Sequence, residues 1–279
     1  MNAPAPAAPA EQSSRLPSLL LVLLLNAVPI VGVLRYGWSA TNVLVLFWFE
    51  NLLIAIFTCL RIALHRKLTR KRGYWRGGQV GVQVNGKTVK TGLLGEYAVM
   101  AFPFTFAHGV FVAVIALMLA QNHADDPMWQ LSWVQVGRGV AIIGAMLAIE
   151  FLADVATMRS RSFAWMKDYM QRRTGRVLVL HCAIIFGMFA MAMTNSPLGI
   201  LYVLLGLKAL AEVGSVFGQS AAAQKAASEK PPAWALKVVD KLGKEKGGSA
   251  AFLKDWEREQ ETNRRNAIED EEVVSAQGR

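Results

Sequence analysis

The sequence predicts an all-α fold, a polytopic transmembrane bundle of six helices, and three observations carry that expectation. Six apolar runs are long enough to cross a bilayer, and the Lys and Arg residues between them fall almost entirely on one side. The 279 residues are 53% apolar with a positive mean hydropathy, a combination soluble domains of this size rarely reach.

A hydrocarbon core of about 30 Å needs about 20 apolar residues at 1.5 Å each. The qualifying runs are Leu16–Leu34, Thr41–Leu60, Tyr97–Ala120, Gly137–Met158, Val177–Thr194 and Leu198–Phe217. The first is long and lacks a small-residue cleavage site, so it reads as an uncleaved span rather than a secretory signal. The last two are separated only by Asn195, Ser196 and Pro197, which predicts a tight helical hairpin with Pro197 opening the final helix.

Direction follows from the connections. The loop 61–92 carries nine Lys and Arg, the segment 159–176 six, and the tail after Gly218 eleven, whereas the opposite side has Arg35 and Arg138. Positive residues near span ends stay in the cytoplasm, so both termini are expected inside a bacterial inner membrane. The connection His123–Pro127 is acidic. Tyr36, Trp38, Trp129 and Trp133 fall at the outer boundary and Tyr74, Trp75, Trp165 and Tyr169 at the inner one, a pattern expected of aromatic belts.

The chain therefore divides into three parts. Residues 1–15 are Ala/Pro-rich and predict a disordered cytoplasmic tail, 16–218 form the six-span domain, and 219–279 form a charged cytoplasmic tail. Within the loop between helices two and three, valines alternate around Asn85-Gly86, the strongest short signal for a β-hairpin. Trp234, Leu236, Val238, Val239 and Leu242 form a short amphipathic stretch suited to anionic lipid, and 250–272 reads as a solvated or partly disordered helix. Cys59 and Cys182 lie inside apolar runs, which points to neither a disulfide framework nor thiolate ligation. The net charge of +10 follows membrane topology, so nucleic acid is not an expected partner. The lipid bilayer is, with a homo-oligomer or a protein held by the tail also open.

Ionisable side chains facing lipid cost on the order of 2.5–3.5 kcal/mol each, so they turn inward and pair. Seven lie within the spans: Glu50, His108, Glu150, Asp154, His181, Lys208 and Glu212, with Asn26, Asn51 and Thr105 at similar depths. Counted at 1.5 Å per residue, Glu50, Asn51, His108 and Lys208 lie roughly 15 Å from the inner boundary. Glu150 lies roughly 12 Å in, and Asp154, His181 and Glu212 roughly 6–9 Å. Glu150/Asp154 and Lys208/Glu212 are i,i+4 pairs that share a helix face. Two carboxylates on one face repel unless a cation, a proton or a basic partner sits between them.

Several chemistries are absent from the sequence: no Walker loop, no Gly-x-Ser-x-Gly elbow, no His-Glu-x-x-His helix and no dinucleotide fingerprint. No catalytic residue can be assigned. Haem between His108 and His181 is disfavoured by a depth difference of about 10 Å. A divalent metal held by His181, Asp154, Glu212 and Glu150, a proton or cation pathway along the same seam, an intramembrane metal-dependent enzyme, and a scaffold acting through the loop and tail all remain open.

The motifs Asn26-Ala-Val-Pro29-Ile-Val-Gly32 with Gly37-Trp38, Phe47-Trp48-Phe49-Glu50-Asn51, and Phe102-Pro103-Phe104 with His108-Gly109-Val110-Phe111 resemble a family of bacterial multi-pass membrane proteins, the domain of unknown function 6498. Leu180-His181, Leu207-Lys208 and Glu212 complete the resemblance, which covers roughly Ser18 to Gly218. It implies a shared bundle and a shared polar set, and no activity.

Overall fold

A computed structural model of the chain describes residues 15–76, 81–84, 87–122, 125–174 and 248–274, together with the single positions 186, 193, 203, 206, 207, 210, 231 and 236. Among these residues the elements run α1 (Arg15–Tyr36), α2 (Ala40–Thr69), a 3₁₀ turn (Arg72–Tyr74), β1 (Gly81–Val84), β2 (Lys87–Lys90), α3 (Leu93–Asn122) and a second 3₁₀ turn (Pro127–Trp129). There follow α4 (Trp133–Thr157), a third 3₁₀ turn (Met158–Ser160), α5 (163–174) and α6 (Gly248–Glu271). Apart from the single positions just given, the expected spans Val177–Thr194 and Leu198–Phe217 lie outside the described residues.

Three helices, Ala40–Thr69, Leu93–Met118 and Trp133–Ser160, are long and apolar enough to cross a membrane, and Leu24–Tyr36 is a shorter apolar stretch. α2 is central, with α3 and α4 packed against it and α1 against α4. Val43, Leu44 and Phe47 of α2 bury against Val112 and Ile115 of α3 and Val136 of α4, and Ile54 and Leu46 pack with Ile143 and Leu147. The outward faces stay apolar: Phe106, Val110 and Leu117 of α3 and Val134, Ile149 and Leu152 of α4 are exposed.

One end of the bundle is locked by polar caps. Ser39 begins α2 by accepting from the Asn42 amide at 3.1 Å, and its hydroxyl donates to the Gln130 carbonyl at 2.7 Å. Thr41 donates to the Trp129 carbonyl, and Asn42 bridges the Ser132 amide and the Gln135 side chain. Trp38 and Trp129, expected at the water interface, are instead only 7% and 3% exposed. The Trp38 ring fits between Gly32 and Gly139, where an added Cβ would meet it at 2.3 and 2.9 Å. Tyr74 and Tyr169 at the other end are also buried, while Tyr36, Trp133 and Trp75 are exposed as an interface position requires. Aromatic type alone does not separate a belt residue from a packed one, because both roles use a large amphipathic ring.

α2 continues through Arg61 to Thr69, so the segment read as loop from residue 61 is helical for about two and a half more turns. Hydropathy falls there, but Ile62, Ala63 and Leu64 keep helix-compatible chemistry and Ile62 is fully buried. The helix stops at Arg70, which adopts a left-handed φ of 50° and returns its amide to the Arg66 carbonyl. β1 and β2 pair antiparallel, with Gly81 opposite Lys90 and Val84 opposite Lys87.

The highly charged stretch 250–272 is helical through Glu271, as part of a 24-residue helix, α6, whose end docks on the segment after α2. The Arg72 amide donates to the Glu272 carbonyl at 2.7 Å, and the Val274 amide to the Arg70 carbonyl at 2.9 Å. Lys71 pairs with Glu271, Arg72 with Glu272, and Arg76 with Glu269 and Asp270. The reading as a merely solvated helix missed this because the partners stand 200 positions apart in the chain.

Candidate functional site

Four of the buried polar residues of α2 lie on one face. Glu50, Thr58, Arg61 and His65 are spaced 8, 3 and 4 apart, which places them within a quarter-turn arc and spreads them over roughly 22 Å along the axis. All four are buried, Arg61 at 1% and His65 at 0% exposure.

Arg61 organises the centre of this face. Its Nε donates to Asp154 Oδ2 at 2.8 Å, and its Nη2 faces Glu150 Oε2 at 3.3 Å. The guanidinium lies 5.4 Å from the Phe151 ring centre and 5.1 Å from that of Tyr169, so aromatic faces complete its surroundings. Arg173 from α5 closes the other side, donating to Glu150 Oε1 at 2.7 Å and to the Tyr169 hydroxyl at 3.1 Å. Two arginines thus balance two carboxylates. The i,i+4 pair Glu150/Asp154 is brought together as the sequence predicts, and the group between the two is a guanidinium.

The cluster is not fully hydrogen-bonded. Arg61 Nη2 and Glu150 Oε2 approach as an ion pair but out of hydrogen-bond alignment, and neither atom has another hydrogen-bond partner among the described residues. Around them, burial pushes the Tyr169 hydroxyl up, against the opposing charge of Arg173. For Arg173 burial disfavours the charged form, but Tyr169 and Glu150 outweigh it and the net direction is up. A neutral tyrosine and a permanent cation follow.

His65, one turn beyond Arg61, has both ring nitrogens engaged. Nε2 lies 3.2 Å from the Arg161 carbonyl oxygen, which only accepts, so Nε2 carries the proton and Nδ1 accepts from the Tyr74 hydroxyl. Burial, with the nearby charge of Glu271 added, pushes the Tyr74 hydroxyl up.

Nearer the middle of the bundle Glu50 and His108 are both buried, His108 stacked on Phe104 with ring centres 5.5 Å apart. Asn51 donates to the Phe47 carbonyl of its own helix. Trp48 donates to the Thr105 carbonyl at 2.9 Å and lies over Gly109, where a Cβ would come within 2.6 Å of its indole nitrogen. Gly109 thus serves close α2–α3 packing. Lys208, His181 and Glu212 lie outside the described residues, and among the described residues no three His, Cys, Asp or Glu side chains group as metal ligands. The members the sequence reading missed are Arg61, His65, Tyr74, Tyr169 and Arg173. The i+11 and i+15 positions from Glu50 on a longer α2 would have found the first two.

The match to a family model covers residues 8–229 and its description is a family of unknown function, DUF6498. The chain belongs to that family. No curated protein matches it. No solved structure matches it. The Arg61 cluster, α5 and the motifs around Trp48 and His108 all lie within the matched residues, whereas α6 lies beyond them.

Proposed function

We propose that the chain is a six-span protein of the bacterial inner membrane, with both termini in the cytoplasm, and that the polar face of α2 forms the wall of a proton pathway. The observation that carries the pathway is the run of buried groups Glu50, Thr58, Arg61 and His65 with Glu150 Oε2 beside it. Carboxylates and histidines at intermediate depth are the groups that relay protons within membranes, and an ion-paired carboxylate oxygen without a hydrogen bond has a free lone pair to accept one. Arg61 and Arg173 repel metal cations from the same place, so a divalent ion on Glu150, Asp154, His181 and Glu212 would first have to displace a guanidinium. That favours the proton over the metal and over an intramembrane metalloenzyme.

Purified protein in liposomes containing a pH-sensitive dye tests the pathway. Wild type is expected to collapse an imposed pH gradient faster than empty liposomes, with Glu50→Gln and Glu150→Gln slowed at equal reconstitution of folded protein. Wild type no faster than empty liposomes would remove the pathway. A second reading, a scaffold binding a protein through its cytoplasmic face, is favoured by one observation, the docking of α6 on the segment that follows α2. The orientation has its own check: reporters fused at Gln79 and Ala250 are expected to report cytoplasm, and a periplasmic signal at either overturns it.

A further inference from the structure

We infer that the acidic end of α6 is a tethered competitor of anionic phospholipid for the basic segment that follows α2, so that an anionic membrane surface releases α6. The inference rests on the membrane reading above but not on the proton pathway.

Residues 66–76 hold Arg66, Lys67, Arg70, Lys71, Arg72 and Arg76 immediately past the apolar length of α2. A basic cluster at that place draws anionic headgroups with about 1 kcal/mol per residue. Arg66, Lys67 and Arg70 are exposed. Lys71, Arg72 and Arg76 are instead paired with four consecutive acids, Glu269, Asp270, Glu271 and Glu272. Glu271 also accepts from the Ala164 amide at 3.0 Å, at the start of α5. The tail therefore presents a row of anions where a lipid surface would present its phosphates.

Two features make the contact reversible. The ion pairs are partly solvated, with Arg72 and Glu272 more than half exposed, so competing charge can screen them. Three of the acids also stand in the last turn of α6 and Glu272 directly follows it, with no basic residue in that turn, against the negative end of the helix dipole. Without its cationic partner that turn loses the contact that offsets the dipole.

Hydrogen exchange on the full chain in lipid nanodiscs tests this. In discs of phosphatidylcholine the amides of 266–274, Val274 included, are expected to be protected. In discs with roughly 30% phosphatidylglycerol they are expected to exchange about tenfold faster. Glu269→Gln, Asp270→Asn, Glu271→Gln and Glu272→Gln together are expected to give fast exchange in both lipids. Equal or greater protection of wild type in the anionic discs overturns the inference, as does protection of the quadruple variant in phosphatidylcholine. Inorganic phosphate added to phosphatidylcholine discs is expected to leave protection intact, and release by it would overturn the assignment to a lipid surface. Failure of the chain to enter the discs would instead refute the membrane reading.

Discussion

Replacing Arg61 by Met would keep the length and the aromatic contacts of the side chain and remove only its charge and donors. Asp154 would then lose its pairing with Arg61, while Glu150 would keep Arg173. Breaking a buried ion pair by deleting one partner costs about 3–5 kcal/mol, since the remaining charge is left uncompensated. Both carboxylate side chains are 21% exposed, which places the expected loss at the low end, about 3 kcal/mol. At the usual scaling this lowers the unfolding temperature by about 10 °C. Asp154→Asn in the same background removes the stranded charge, so the double variant is expected to recover about 2 kcal/mol, a coupling that distant sites do not show. Thermal unfolding in detergent, followed by circular dichroism, reads all four members of the cycle. An Arg61→Met protein within about 1 kcal/mol of wild type, or a strictly additive double variant, would refute the account of Arg61 as the counter-charge.

His65→Phe preserves ring volume but leaves the Arg161 carbonyl and the Tyr74 hydroxyl without their partner, for an expected loss of about 1–3 kcal/mol in the same unfolding assay. Gly109→Ala is expected to cost about 1–3 kcal/mol by forcing the Trp48 ring aside, with a change in tryptophan emission as the local readout. Docking of α6 depends on pH through Glu271. Burial alone would raise its carboxyl, but the bonds from Lys71, Ala164 and Phe163 outweigh this and the net direction is down. A lowered folded value means stability present above the free-chain value of about 4.3 and lost as pH falls through the folded value. Exchange protection of 266–274, corrected for intrinsic rates, is expected to be flat from neutral pH to about pH 5 and to fall below about pH 4.

The apolar runs of α1 to α4 were legible because about 20 consecutive apolar residues have few other uses. Glu150 and Asp154 were legible as a pair by their spacing. Their partner was not, because Arg61 sits where hydropathy drops, and a drop looks the same whether a helix ends or merely changes its neighbours. His65 was lost with it. The docking of α6 was invisible for a different reason: charge complementarity between Lys71-Arg72 and Glu271-Glu272 has no local period, and a pattern of charges fits many partners equally well until the fold selects one. Trp38 and Trp129 failed in the opposite direction, since their position near span ends was right and their burial depended on Gly32, Gly139 and the Ser39 and Thr41 bonds.

Arg70 holds a backbone conformation that costs a non-glycine residue about 1 kcal/mol, and the carbonyl it turns outward is the one that Val274 takes. The shape of the turn that ends α2 is therefore completed by residues made some 200 positions later. Lys71 leaves the ribosome 200 positions before Glu271, a gap of roughly 10–40 s at ordinary rates of synthesis. Throughout that interval α3 and α4 are made and take their places while the basic segment beside them is still bare. This end of the bundle is thus assembled in two stages, the helices first and the closing contact only once α6 has been made.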